Sequence, residues 1–369
     1  MSQLMRLENR FNVFQNESLE EGILRFENFV KEAKAFTSNL PDGNLNKLSV
    51  IDLSLIEFRM ERVKTFSAPI LRLESNLPLA TKIELRLEGF LETIWNKIVS
   101  FWEWLVDKIK GFFSSSKDKA EEQVKATKEI KEELLKKKSK AEAATDEKPK
   151  RNSMPFKHLF GIEKTSGMES IDSVKKNLKS VEEARKSLFD LAAISVEEIQ
   201  QIFKRADKGL YTYELFEDLN NTLNNIKRIK GSANGDVVRE LEVGPYTKLQ
   251  FVVDKNSIRI NKQQEAADPA KTPLTLEFKD IMDISDVING FGSRYSDHTD
   301  ILNKAKEVQK LIEKTDINKT KQSKENFEFI MDTSRYYSDL IKHMVFINTK
   351  MIDLNTSNMK LLLESGKLI

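Results

Sequence analysis

Between Leu85 and Phe113 the chain carries an apolar stripe that fits one face of an α-helix. Leu87, Leu91, Ile94, Ile98, Phe101, Leu105, Ile109 and Phe112 follow one another at steps of three or four residues, the spacing that stacks side chains along one helix side. Phe90, Trp95, Val99, Trp102, Val106 and Phe113 form a second row that widens the stripe. Glu88, Glu92, Lys97, Glu103, Asp107, Lys108 and Lys110 lie mostly off it. All three tryptophans of the chain, Trp95, Trp102 and Trp104, fall in this segment. So broad an aromatic face has to be covered. The sequence leaves three covers open: residues 1–80 of the same chain, a membrane interface in which Trp and Phe bury while charges face water, or a partner protein. On the last two readings the contact residues are Phe90, Trp95, Phe101, Trp102, Leu105, Phe112 and Phe113. A spanning helix is disfavoured, because Lys97, Glu103 and Asp107 would sit deep in hydrocarbon.

The stripe stops abruptly. Residues 114–153 begin with a serine run and continue through Lys/Glu-rich sequence to Lys136-Lys137-Lys138-Ser139-Lys140, with few large apolar side chains. Such a stretch buries too little surface to offset chain entropy by itself. It reads as a charged linker, helical in part through Glu-to-Lys pairs such as Glu121–Lys125 and Glu132–Lys136.

On either side of these segments the patterning is also helical. Leu19, Ile23, Phe26, Phe29 and Val30 share one face, and Leu40-Pro41-Asp42-Gly43-Asn44 makes a turn before Leu48, Ile51, Leu55 and Phe58 resume the spacing. Downstream, Ser173 to Ala193 is a helix, and Ser195-Val196-Glu197-Glu198 starts another with Ser195 as its N-cap. A third runs from Leu210 to Ile229. The period then drops to two. Leu241 and Val243, then Leu249, Phe251 and Val253, then Ile258 and Ile260, then Leu274, Leu276 and Phe278 alternate between turns, which predicts an antiparallel meander over about 237–278. Helices return near 279–288, 297–314 and 324–364. The expected fold is mainly α: an N-terminal helical module (1–113), a charged linker (114–153), and a separate C-terminal helical domain with a small antiparallel sheet (154–369), α+β in character.

Chemistry is hard to find in this pattern. The chain has no cysteine, which removes disulfides, thiolate metal sites and cysteine nucleophiles together. Its three histidines, His158, His298 and His343, have no second histidine at ligand spacing. Asp297-His298 with Asp300 reads as a helix start. No phosphate-binding loop, nucleophile elbow or zinc-protease motif occurs. These observations predict no catalytic residues, no cofactor and no metal. With 60 basic against 58 acidic residues, the charge balance argues against a dedicated nucleic-acid binder. The Lys136–Lys140 cluster could meet phosphate or anionic lipid, and nearby glutamates balance it. The N-terminal Met1-Ser2-Gln3-Leu4-Met5-Arg6 lacks the apolar core of a secretory signal.

The layout, an N-terminal leader followed by the aromatic helix Phe90 to Leu105, a Lys/Glu-rich linker and a helical domain with a small sheet, resembles internal head or virion structural proteins of large tailed bacteriophages. That resemblance, carried by residues 85–150 and the general order, implies a non-enzymatic role inside a capsid, or in the host cytoplasm before assembly. Its implied partners are other virion proteins or further copies of the chain. It also implies trimming after a small or aliphatic residue, any residue, then Glu. Gly167-Met168-Glu169 fits, as do Gly161-Ile162-Glu163 and Ser18-Leu19-Glu20. Cleavage after Glu169 is expected to release the C-terminal unit from the linker. A membrane surface, reached through helix 85–113, is the alternative partner.

Overall fold

A computed structural model of the chain describes residues 18–37, 79–144, 152–154, 171–204, 212–226, 228–232, 235–243, 247–254, 257–264, 274–276, 299–314 and 324–368, with Ser49, Asp286 and Gly290. Six helices and six strands lie among them: α1 (Leu19–Thr37), α2 (Leu79–Ala144), β1 (Asn152–Met154), α3 (Ile171–Lys204), α4 (Thr212–Asn225), β2 (Lys230–Ser232), β3 (Gly235–Glu242), β4 (Thr247–Asp254), β5 (Ser257–Gln264), β6 (Leu274–Leu276), α5 (Thr299–Lys314) and α6 (Lys324–Leu368). The fold is mostly helical with a small antiparallel sheet, as the sequence pattern predicts.

Helix α1 starts where its sequence supplies a capping box. Ser18 N–H donates to Glu21 Oε2 at 2.9 Å, and Glu21 N–H donates to Ser18 Oγ at 3.3 Å. Two backbone donors left over at the helix start are satisfied reciprocally. These bonds from Ser18 hold the exposed Glu21 carboxyl below its ordinary range.

Helix α2 is one element of 66 residues, roughly 100 Å long at the α-helical rise. It does not stop at Phe113 but continues through most of the expected linker to Ala144. Nucleating a helix is costly, whereas extending it adds a backbone bond for each residue fixed. The Lys/Glu/Ala-rich residues after 113 are good helix formers and inherit a turn already held by the core. Exposed Lys117 and Glu121 are paired along it at 3.8 Å, and Lys131 reaches Asp286 at 2.6 Å.

Helix α3 corrects the sequence reading at Ser195. The chain runs helical without interruption from Ile171 to Lys204, so Ser195 is interior rather than an N-cap. Its hydroxyl donates to the Leu191 carbonyl at 2.6 Å, one turn back. A serine can satisfy itself inside a helix in this way.

The sheet is a meander in the order β2-β3-β4-β5. Arg239, Phe251 and Ile260 lie opposite one another across β3, β4 and β5, as do Leu241 and Leu249. These residues are buried. The opposite face carries the alternate residues, with Gln250 donating to Glu240 at 2.9 Å and accepting from Gln263 at 2.8 Å. Two details differ from expectation. Lys230–Ser232 forms strand β2, ahead of the expected meander over about 237–278. Leu274–Leu276 is no part of the meander; it pairs with Asn152–Met154 in a separate two-stranded ladder. Residues 279–285, 297 and 298, the second half of the N-terminal segment and the Pro41 turn lie outside the described residues.

One buried cluster runs through α1, α2, α3, α4, the meander, α5 and α6. The N-terminal module and the C-terminal domain, divided in the sequence reading by a linker, therefore share a core. Helix α6 is its axis, contacting α1, α2, α3, α4 and β5.

Candidate functional site

The aromatic stripe of α2 and the polar stripe of α6 meet inside this core, and they are the features most able to carry function. Trp95, Phe101, Trp102 and Leu105 are buried, the last three with no exposed surface. Phe112 is half-buried against the same cluster. The structure thus covers with the chain's own helices the face expected to meet a membrane or partner. The side chains of Phe90 and Phe113 lie outside the described ones, as do Gly167, Met168 and Glu169.

The cover has two sides. On one, α1 lies over α2. Phe26 stacks on Phe101 with ring centroids 3.6 Å apart, Lys97 Nζ sits 5.3 Å from the Phe29 centroid, and Gly22 lies flat against Trp104. A Cβ at Gly22 would overlap that indole ring. Glycine normally weakens a helix by about 1 kcal/mol relative to alanine, so its use here follows from the close approach. Burial depresses the Lys97 ammonium from its ordinary range, with Glu32 acting the other way.

On the other side, α6 receives Trp102. The indole Nε1–H donates to Ser334 Oγ at 2.7 Å, and the ring packs 5.7 Å from Tyr337. A buried indole needs such an acceptor. Burial pushes the phenols of Tyr336 and Tyr337 well above their ordinary value. Because Ser195 spends its proton on Leu191, the 3.0 Å contact with Tyr336 has the tyrosine hydroxyl donating.

Two carboxylates lie seven residues apart on α6, about two turns. Asp332 accepts both bonds of a fork from Lys34 Nζ on α1, each 2.8 Å long. Burial nevertheless raises the Asp332 carboxyl above its usual range, against the pull of Lys34. The ion pair offsets desolvation only in part. Asp339 is the reverse. Burial raises it too, but the His343 hydrogen bond and the Lys342 and His343 charges outweigh that and hold it low.

Asp339 and His343 together grip the edge of the sheet. Ile260 N–H donates to Asp339 Oδ2 at 3.2 Å, and the Ile260 carbonyl accepts from His343 Nε2 at 3.0 Å. A carbonyl can only accept, so Nε2 carries the proton. Strand β5 ends the sheet, and an open edge invites pairing with another chain. Here a helix occupies it with one acceptor and one donor spaced a turn apart. Lys342 closes the group at 2.6 Å from Asp339 Oδ1. The sequence reading found only that His343 has no second histidine at ligand spacing. The signal available was Asp339 and His343 at the i, i+4 spacing, but nothing local showed which backbone they would meet.

No protein-family profile, curated protein or solved structure matches this chain. Among the described residues no helix is long and apolar enough to cross a membrane.

Proposed function

We propose that this chain is a structural, non-enzymatic protein of a tailed-bacteriophage virion, of the internal head class that its layout resembles. Helix α2 carries the reading. One continuous helix knits α1 and α6 together through its aromatic half and extends beyond that contact as a rod of mixed Lys and Glu. A surface of interspersed charge suits many weak, salt-sensitive contacts with neighbouring proteins. Four interior polar side chains support the same reading, because their hydrogen bonds dock one element on another: Trp102 on Ser334, Tyr336 on Ser195, His343 and Asp339 on Ile260. Membrane association through helix 85–113 would require Trp95, Phe101, Trp102 and Leu105 to leave this core, and nothing in the geometry favours it.

The proposal keeps cleavage after Glu169 but alters its consequence. Helix α3 begins at Ile171, so a cut after Glu169 leaves the described helices and strands whole. Because α2 is buried against α6, residues 1–169 would stay bound as a non-covalent partner rather than be lost as a leader. Ser18-Leu19-Glu20 lies in the capped first turn of α1, where hydrogen bonding resists entry into a protease. Mass spectrometry of purified particles of the encoding phage tests the proposal. Presence at fixed copy number, with peptides from both sides of Glu169, is the expected result. Absence of the chain from particles overturns the virion role.

A further inference from the structure

We infer that α6 carries a buried water site, in which one ordered water joins the Thr333 hydroxyl to the Tyr337 phenol beside the docked indole of Trp102. Thr333 is 1% exposed and Tyr337 has no exposed surface. Among the described residues neither Thr333 Oγ1 nor Tyr337 OH has a hydrogen-bond partner. A buried hydroxyl left in that condition carries its full desolvation cost. Two such groups in one packed core call for a partner that is not a protein group.

The two hydroxyls belong to one place. Residues at i and i+4 lie one above the other on a helix face, about 6 Å apart along the axis. A long helical side chain leans back over the preceding turn, which carries the Tyr337 phenol toward Thr333. The contacts of Trp102 agree. Its ring packs on Tyr337 while its Nε1–H reaches Ser334, the neighbour of Thr333 in sequence.

The chemistry selects water. Each hydroxyl can donate one hydrogen bond and accept others. Burial, with Tyr336 adding to it, holds the Tyr337 phenol above its ordinary range, so the phenol keeps its proton and needs an acceptor. Neither hydroxyl offers a charge to hold an ion, and the carboxylate of the adjacent Asp332 is taken by Lys34. Side chains with so little exposed surface give an organic molecule no opening. A water accepts from one hydroxyl and donates to the other, and buried waters in folded proteins sit on polar groups that are otherwise unsatisfied. The site makes hydration part of the joint between α2 and α6, and it is independent of the virion role.

Three full-length variants test it: Thr333→Val and Tyr337→Phe, each deleting one hydroxyl at nearly constant shape, and the two combined. Urea titration gives the unfolding equilibrium constant of each. A shared water predicts that either single variant raises this constant about fivefold. The double variant should raise it by clearly less than the product of the two, because the first deletion already strips the water of one bond. A constant unchanged or lowered in either single variant means that the hydroxyl was bound to nothing, and the inference fails. Full additivity means that the two groups share no ligand, and it fails as well. A crystal structure of the unaltered chain identifies the ligand. A single water-sized density peak within hydrogen-bonding distance of both Thr333 Oγ1 and Tyr337 OH is expected, and well-ordered density without that peak overturns the site.

Discussion

The two halves of α2 are one helix held by different physics. From Leu91 to Ile109 the helix is anchored by tertiary burial, with Ile94, Ile98, Phe101, Trp102 and Leu105 showing no exposed surface. Beyond residue 113 it passes to a surface where Lys117, Asp118, Glu121, Glu122, Lys125, Lys128, Glu129, Glu132 and Lys136 are exposed, and Leu135 stands 45% open. The difference teaches that helicity and packing are separate quantities. A packed half supplies the nucleus, and a solvated half propagates from it on backbone bonds, propensity and exposed ion pairs. A stretch too polar to form a core is thereby ordered without contributing one.

The sharpest break of the comparison is Trp102→Ala. It removes a wholly buried indole and its bond to Ser334, and should cost about 3–5 kcal/mol of unfolding free energy in a urea titration. A loss under about 1 kcal/mol, the size of an ordinary substitution, would show that the aromatic half is not the anchor. Next is Gly22→Leu, which forces α1 off Trp104 and should cost about 1–3 kcal/mol. Gly22→Ala should also destabilise, although alanine is the better helix former. A stabilised alanine variant would mean that the two helices do not touch there.

A third, smaller effect is confined to acid. Asp339 is held low in the folded protein, so it adds stability above the unfolded carboxylate range. That contribution is lost as pH falls through its folded pKa, below about pH 4. Asp332 is held high, so its contribution runs oppositely: stability declines as pH rises from the unfolded value through the folded one. Unfolding free energy measured from about pH 6 down to about pH 3 should fall less steeply at the acid end in Asp339→Asn. An unchanged acid limb would remove Asp339 from the account of docking at Ile260. The smallest effect belongs to the solvated half. Lys131→Ala removes a 2.6 Å pair with the exposed Asp286 and should shift stability by about 0–1 kcal/mol, less in high salt. A loss as large as that of Trp102→Ala would erase the distinction between the halves.

Much of the helical architecture was legible in the amino-acid pattern. The 3–4 spacing of Ile23, Phe26, Phe29 and Val30, and of Ile94, Ile98, Phe101 and Leu105, named residues that are indeed buried. The alternation of Leu249 and Phe251, and of Ile258 and Ile260, placed β4 and β5 and their buried face. Both signals are periodicities of a single element, set by backbone geometry. Errors came where two local readings were equally good. Ser195 has N-cap chemistry, but whether a serine caps a helix or bonds back within one depends on the chain before it. Leu274 and Leu276 alternate like a meander strand, yet their partner is Asn152–Met154, more than a hundred positions away.

The docking groups were the least legible. Trp102 with Ser334, Lys34 with Asp332, and His343 with Ile260 join residues 83 to 298 positions apart. Nothing in the local patterning of either partner announces such a pairing, and so the sequence left the cover of the aromatic stripe open. By itself the sequence determined that the chain would make long amphipathic helices with a small meander, because hydrophobic period and propensity act over a few residues. Only the tertiary structure decided that one core unites α1 and α2 with the helices and sheet that follow them, because which faces cover one another depends on contacts between segments remote in sequence, where shape, desolvation and hydrogen bonding are resolved together.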